Sequence, residues 1–524
     1  MNMHLVIPNK PTGYNRLIIS SFGRKPSKVW CMASTAAAHV SGLDHPSSHV
    51  QHNPPRRSGN YGPTPWDFNY LQSLNSEYTD ERYLRGASEL KEEVKKMLVQ
   101  EKELSSVEEL LELIDDLQRL GISYHYEDEI NQMLGCLYEQ KYGVGRITLR
   151  KRKGICTLQL LNSDSSENMV LSSLKRCLTA SEMRKEILIQ VLATTPKDCY
   201  NSMKLLSCPH QIDESLSILV RHAFELPRHW RVQRPNTRWF IEAYERSPDV
   251  NRLVLELAKL DFNIVQTTHQ QEPKHVYEWW KQTGIAENLP FARDRMVECY
   301  FWTTGVFSHP QYSYPRIITA KLNALITVID DIFDVYATHQ ELQLFNNAIQ
   351  RTYFQEAEWH LRGYTPTLEE YMTNAWISIS APVILSHAYF LVANPIEEEV
   401  VPSLYKYHDL VRYSAIILRL ANDLETSPVK RGDVPKSIQC YMNESGGSGE
   451  EAVEYIRFLI GETWKDTNQE AFVAEDSPFP QDFVRIAADL GRMAQYMYQD
   501  GDGHGIQNCD IKTRISTFLF HPIL

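Results

Sequence analysis

The chain has 524 residues, enough for two or three domains with cores of their own. Its net charge of −12 and pI of about 5.9 argue against a general nucleic-acid binder. Nine cysteines without a Cys-x-x-Cys pair exclude a zinc motif and a small disulfide framework, and they fit a reducing interior compartment.

Residues 1–55 stand apart. Lys10, Arg16, Arg24, Lys25, Lys28 and seven serines face a single acid, Asp44. A basic, serine-rich, acid-poor leader is the composition of an organelle transit peptide, expected over 1–53; an ordinary disordered tail is the alternative. From about residue 80 the periodicity is helical. Leu110, Leu113, Ile114, Leu117 and Leu120 form one apolar stripe. Ser105 with Glu108, or Ser106 with Glu109, offers a capping box, and Gly121 a stop. Thr367 with Glu370 offers a second box, opening a helix that Pro382 should kink. The longest apolar stretch, Ala375 to Ala393, holds Pro382, His387 and several serines, and reads as a broken buried helix, not a membrane span. Alternating strands, Gly-rich phosphate loops and solenoid repeats are absent, so the expected class is all-α.

Residues 144–210 break the pattern, with eleven Lys/Arg against five Asp/Glu and four of the nine cysteines. Arg146–Lys153 in isolation resembles a nucleic-acid patch, but no aromatic residues interleave it, and a solvated basic face is the plainer account.

Two oxygen-rich clusters carry the chemistry. The run Asn323–Asp334 ends an apolar helix pattern with Asp330, Asp331 and Asp334. Asp330 and Asp334, four apart, share a helix face with Asp331 beside them. Clustered carboxylates on a core-facing helix repel and lose hydration, which a cation relieves; a charged helix end facing water is the alternative. Oxygen ligands at this density suit a hard ion such as Mg²⁺, which shares its remaining sites with water and phosphate. Ninety-two residues on comes Arg419-Leu-Ala-Asn422-Asp423-Leu-Glu425-Thr426, and upstream lies Arg293-Asp-Arg295. Together these describe a diphosphate site: metal on two sides, arginines holding the leaving group after C–O ionisation, no Ser or Cys nucleophile needed. A carbocation would then need an apolar, aromatic, water-free pocket, for which Trp302, Phe333 and Tyr496 are candidates.

At these residues the chain resembles the plant class I terpene synthases. Asp330-Asp331-x-x-Asp334 is similar to their aspartate-rich motif, and Asn422-Asp423-x-x-Thr426 to the start of their second metal motif. Arg56-Arg57-x₈-Trp66 resembles the tandem-arginine element of monoterpene synthases. The resemblance runs over about 54–143 and 212–524. It implies an N-terminal helical barrel over 54–230, atypical at 144–210, and a C-terminal catalytic bundle over 231–524. It further implies a prenyl diphosphate substrate and Mg²⁺ or Mn²⁺, about three ions per site. Asp330, Asp331, Asp334, Asn422 and Thr426 would bind metal. Arg293, Arg295, Arg419 and Lys436 match diphosphate-binding positions. Arg56 and Arg57 would cap the site and serve isomerisation of geranyl diphosphate. Asp500–Gly505 resembles a loop that closes over the pocket. A plastid stroma location and a monomer or weak homodimer follow, with no nucleic-acid or membrane partner.

Three departures bear on activity. The second motif should end in a glutamate where Lys430 stands, a cation in place of an anionic ligand; Glu425 is a nearby substitute. Between Arg351 and Thr352 the family carries roughly forty further residues, about one and a half long helices, whose loss should uncover apolar surface. Residues 144–210 match nothing in the family. An inactive helical protein of the same descent, from a mis-spliced or decayed gene, is therefore one alternative, and a sesquiterpene synthase using farnesyl diphosphate another. A prenyl-chain elongase is disfavoured because the second cluster is not Asp-Asp-x-x-Asp.

Overall fold

A computed structural model describes residues 61–104, 107–142, 218–219, 221–222, 225–337, 342, 351–426, 435–472, 477–504 and 509–524, all within one compact unit. Among them no strand occurs. The longer helices are α1 (Glu81–Leu104), α2 (Val107–Arg119), α3 (Glu127–Tyr142), α4 (Gln233–Glu245), α5 (Arg252–Thr283), α6 (Met296–Val306), α7 (Ser313–Asp331), α8 (Arg351–Leu361), α9 (Leu368–Ser378), α10 (Ala381–Val392), α11 (Asp409–Glu425), α12 (Ser437–Ser445), α13 (Gly449–Phe472), α14 (Gln481–Tyr498) and α15 (Cys509–Phe520).

The stripe on α2 is buried at Leu110, Ile114, Leu117 and Leu120, and Gly121 ends the helix at φ 72°. Residues 105 and 106, which carry the expected capping boxes, lie outside the described residues. The box at Thr367 and Glu370 is formed in both directions. Pro382 does not kink a continuous helix. The break falls at Ser380, at φ 64°, and Pro382 sits in the first turn of α10, where its missing N–H costs no helical bond. By length and composition Leu368–Val392 could cross a membrane; in the fold it is these two helices, about half buried.

Alpha helix α6 is buried at every residue, the signature of a central helix. It can approach α14 closely because residue 305 is glycine: a Cβ there would collide with Met493 Sδ. A buried ion pair sets the register around it. Arg316 on α7 donates through Nε and Nη2 to the Glu272 carboxylate of α5, both at 2.8 Å, and Tyr300 on α6 donates to the same carboxylate at 2.6 Å. Arg316 Nη1 caps the carbonyls of Phe307 and His309, so the buried charge is fully bonded. One end of α7 is thereby pinned, and its other end carries the first acidic cluster. The second cluster lies on α11, which packs against α13 and α14. Helices α7 and α10 pack on each other, yet Tyr314 and Leu325 on the one and Val383 and Phe390 on the other are exposed, Leu325 by 39%.

Candidate active site

The first wall is the end of α7. Asp331 closes the α-helix with its side chain 1% exposed, while that of Asp330 is 38% exposed. Residues Ile332–Tyr336 then widen into a π-turn, closed by the Ala337 N–H on the Ile332 carbonyl at 3.0 Å. The simple four-residue spacing of Asp330 and Asp334 is therefore altered by a wider turn. Arg293 serves as the cation of this wall. Its Nη2 lies 2.6 Å from Asp330 Oδ2 and 2.8 Å from Asp331 Oδ1, and its backbone N–H donates to Asp331 Oδ2 at 2.7 Å. Burial pushes the Asp331 carboxyl above its usual range, against the pull of Arg293. The Tyr61 ring covers the guanidinium, 4.7 Å from its Cζ.

The second wall is α11. Arg419 and Asp423, one turn apart, form a buried pair at 2.9 Å. Asp423 Oδ2 also accepts from Tyr371 O–H at 2.9 Å and the Ser437 N–H at 3.2 Å. Arg419 further donates to Tyr371 O–H and lies 3.6 Å from Glu356 Oε2. Burial raises the Glu356 carboxyl, while Asp423, Tyr371, Glu356 and Asp334 together hold the Arg419 charge more firmly than usual despite its burial. Asp334 thus faces Arg419 electrostatically from the opposite wall. On the neighbouring side of α11, Thr426 Oγ1 donates to Asn422 and accepts from Lys436 Nζ at 2.7 Å. Glu425 is on the exposed side.

Between the walls stands Tyr498, whose hydroxyl pairs with Asn422 and feels Arg293 and Asp330; burial and Asp502 raise its phenol well above the usual value. Its ring lies 6.0 Å from that of Trp302. Arg295 is placed differently from Arg293 and Arg419. Its guanidinium bonds the carbonyls of Gly62, Asp294 and His504. His504 Nε2 is 3.0 Å from Thr327 Oγ1 on α7, and burial lowers its imidazole to about 4, so the ring is neutral.

Most of the residues expected from sequence thus gather: Asp330, Asp331, Asp334 and Arg293 on one wall, Arg419, Asn422, Thr426 and Lys436 on the other, Trp302 between. Two pocket candidates do not. Phe333 belongs to a separate small core cluster with Tyr353, Leu342 and Ala357, and Tyr496 packs on Phe301 and Arg514. Tyr498 takes the place proposed for Tyr496, because residues two apart on a helix point to nearly opposite sides. Arg56, Arg57, Lys430, Gly505 and 144–210 lie outside the described residues. Sequence reading missed Tyr61, Glu298, Glu356, Tyr371 and Tyr498. Tyr61 lies inside the Arg56–Trp66 element, Glu298 three residues after Arg295 and Tyr498 two before Asp500, so the recognised motifs were the available signal for these three.

Residues 65–151 match the terpene synthase N-terminal domain. Residues 281–352 and 351–466 match the metal-binding domain of the terpene synthase family. The chain is therefore a two-domain, all-α protein with a metal-binding half. It is 46% identical over 529 residues to a chloroplastic terpineol synthase of Nicotiana langsdorffii, taking in 89% of this chain and 99% of that one. A limonene synthase crystal structure with 2-fluorolinalyl diphosphate matches with a TM-score of 0.78 at 37% identity, over 90% of this chain and 100% of that one. Isoprene synthase from grey poplar (Populus x canescens), in complex with three Mg²⁺ ions and dimethylallyl-S-thiolodiphosphate, matches with a TM-score of 0.68 at 30% identity, over 88% and 99%. The chain belongs to the terpene synthase family, and its class is that of carbon–oxygen lyases acting on phosphates.

Proposed function

We propose that the chain is a monoterpene synthase of the plastid stroma, working as a monomer or weak homodimer, which ionises geranyl diphosphate and releases a terpene and diphosphate. The observation that carries this reading is the pair of oxygen-bearing walls, α7 and α11, with Arg293, Arg419 and Lys436 on their facing groups. Chloroplastic names among the relatives support the compartment, and the diphosphate analogue in the limonene synthase neighbour supports the substrate class. We assign domain limits of 54–230 and 231–524; the family matches, at 65–151 and from 281 to 466, lie inside them.

The donor set fits a hard divalent ion: carboxylate, amide and hydroxyl oxygens from Asp330, Asp331, Asp334, Asn422 and Thr426, with no thiolate or imidazole among them. Among the described residues no three acid, His or Cys side chains converge on one point. Each wall is thus an incomplete set that the oxygens of a bridging diphosphate would complete, a usual habit of Mg²⁺. By analogy with the isoprene synthase complex we assign about three ions, Mg²⁺ or Mn²⁺. When bound, the metal supplies Lewis acidity that draws charge from the leaving group. Arg293 and Arg419 would grip the diphosphate, and Lys436 would take a further oxygen. Arg56 and Arg57 cap the site during isomerisation. The Trp302 and Tyr498 rings face the cation and keep water from it.

The test is an assay of the chain, begun just before Arg56, with geranyl diphosphate and Mg²⁺, reading volatiles by gas chromatography–mass spectrometry. Metal-dependent terpene release is expected. Product from farnesyl diphosphate alone would make it a sesquiterpene synthase. A second reading, an inactive protein of the same descent, has its own support: the metal-binding match breaks at 351 and 352, and Lys430 stands where an acid is expected. A soluble, helical chain giving no product from either substrate with Mg²⁺ or Mn²⁺ would establish it.

A further inference from the structure

Residues 61–66 run as an irregular segment before the first short helix, and their contacts converge on one piece of sequence, Arg293-Asp294-Arg295-Met-Val-Glu298. The Tyr61 ring covers Arg293. The Gly62 carbonyl accepts from Arg295 Nη2 at 3.3 Å. Thr64 pairs with the Tyr277 hydroxyl, which also bonds Asp294 Oδ2 at 3.1 Å. The Trp66 indole N–H donates to Glu298 Oε1 at 3.1 Å, with both residues buried. Glu298 is a carboxylate taken out of water at the start of α6, and its Oε2 has no hydrogen-bond partner among the described residues. Burying an acid there is costly unless it holds something in place. The far side of the indole meets the Phe520 ring at 5.7 Å, so Trp66 is gripped between α6 and the end of α15.

We propose that Glu298 and Arg295 are positioning residues that anchor this N-terminal segment over the active site. Through it they fix the Tyr61 ring on Arg293, the arginine that faces Asp330 and Asp331. The same Arg295 guanidinium bonds the His504 carbonyl at 3.2 Å, so one cation ties the N-terminal segment to the loop after α14. Neither residue touches the reacting atoms. Their effect is on the seal: a terpenyl cation either loses a proton to give an alkene, or takes a water oxygen and sheds one of its protons to give an alcohol. A loosened segment admits water and shifts that partition towards the alcohol.

Hydrogen exchange and product analysis together test this. Glu298→Ala should speed exchange of amides in 61–72 by about tenfold, leaving those of α5 and α14 unchanged. It should also lower kcat by about tenfold and raise the alcohol share of product, with a smaller change in KM. Glu298→Gln keeps an acceptor for the indole and should behave like the parent chain. Trp66→Phe keeps the ring against Phe520 but removes the N–H, so it should match Glu298→Ala, and the double variant should be no worse than either. Unchanged exchange in Glu298→Ala, or additive effects in the double variant, would overturn the anchor. Should Glu298→Ala not fold, Trp66→Phe against Glu298→Gln decides the same question. The product arm rests on the proposed function. The exchange arm needs no substrate, so an inactive parent chain would sink that function while leaving the anchor to be decided by exchange.

Discussion

The two acidic walls contain similar residues in different physical states. On α7 the Asp330 carboxylate is 38% exposed and Arg293 lies beside it. On α11 the Asp423 side chain is 0% exposed and enclosed by Arg419, Tyr371 and the Ser437 N–H. The first wall leaves one carboxylate half open to solvent; the second has committed Asp423 to internal structure, with Asn422 half-buried and Thr426 buried beside Lys436. An aspartate count alone would treat Asp331 and Asp423 as equivalent to Asp330. Burial separates them, because a desolvated carboxylate serves where its partners are already fixed.

The comparison breaks most visibly in activity. Asp330→Ala should cost turnover about a hundred- to a thousandfold, read as terpene release under saturating Mg²⁺. Unchanged turnover would remove the first wall from the mechanism. In stability the order reverses. Asp423→Ala leaves Arg419 buried beside a lost partner and should cost about 3–5 kcal/mol in urea unfolding. Asp330→Ala, at a half-open site, should cost no more than about 1 kcal/mol. Equal losses would mean that the walls do not differ in this way. Ligand linkage sharpens the point. Mg²⁺ with inorganic pyrophosphate at a hundred times Kd should stabilise the parent chain by about 2.7 kcal/mol, and either alone by much less. Asp330→Ala should lose that gain.

The smallest effect lies away from both walls. Burial and neighbouring Asp115 raise Asp116 on α2 to about 7, where it pairs with Tyr244. Its folded pKa lies above its ordinary value of 3.8, so the folded state binds the proton more tightly. Its contribution is largest below pH 3.8 and declines as pH rises towards about 7, with little change beyond. Asp116→Asn should flatten this part of the stability profile without moving the pH dependence of turnover. An unchanged stability profile would show that Asp116 ionises freely.

The outer faces of α7 and α10 make a second contrast with the core. Helix α6 is buried on all sides, whereas Leu325, Val383 and Phe390 on α7 and α10 are open to water. The family match splits at 351 and 352, in the same part of the chain. Yet α8, which begins there, keeps Tyr353 on Ser380 at 2.7 Å and Glu356 on Asn374 at 3.1 Å and beside Arg419. Open apolar side chains on the outside of the bundle therefore coexist with a contact from α8 to the second wall.

Sequence alone determined the helical class, the capping box at Thr367, the stripe on α2 and the two oxygen clusters with their arginines. Each of these is written in short-range spacing, where helical period and residue chemistry suffice. Tertiary structure decided which carboxylate is spent internally, that α7 ends in a π-turn, and that Tyr498 rather than Tyr496 stands between the walls. It also decided that Arg295 bonds backbone carbonyls and that Glu298 holds Trp66, 232 residues away. Those outcomes depend on burial and on partners far off in the chain, and neither desolvation nor a long-range hydrogen bond leaves a local periodic trace.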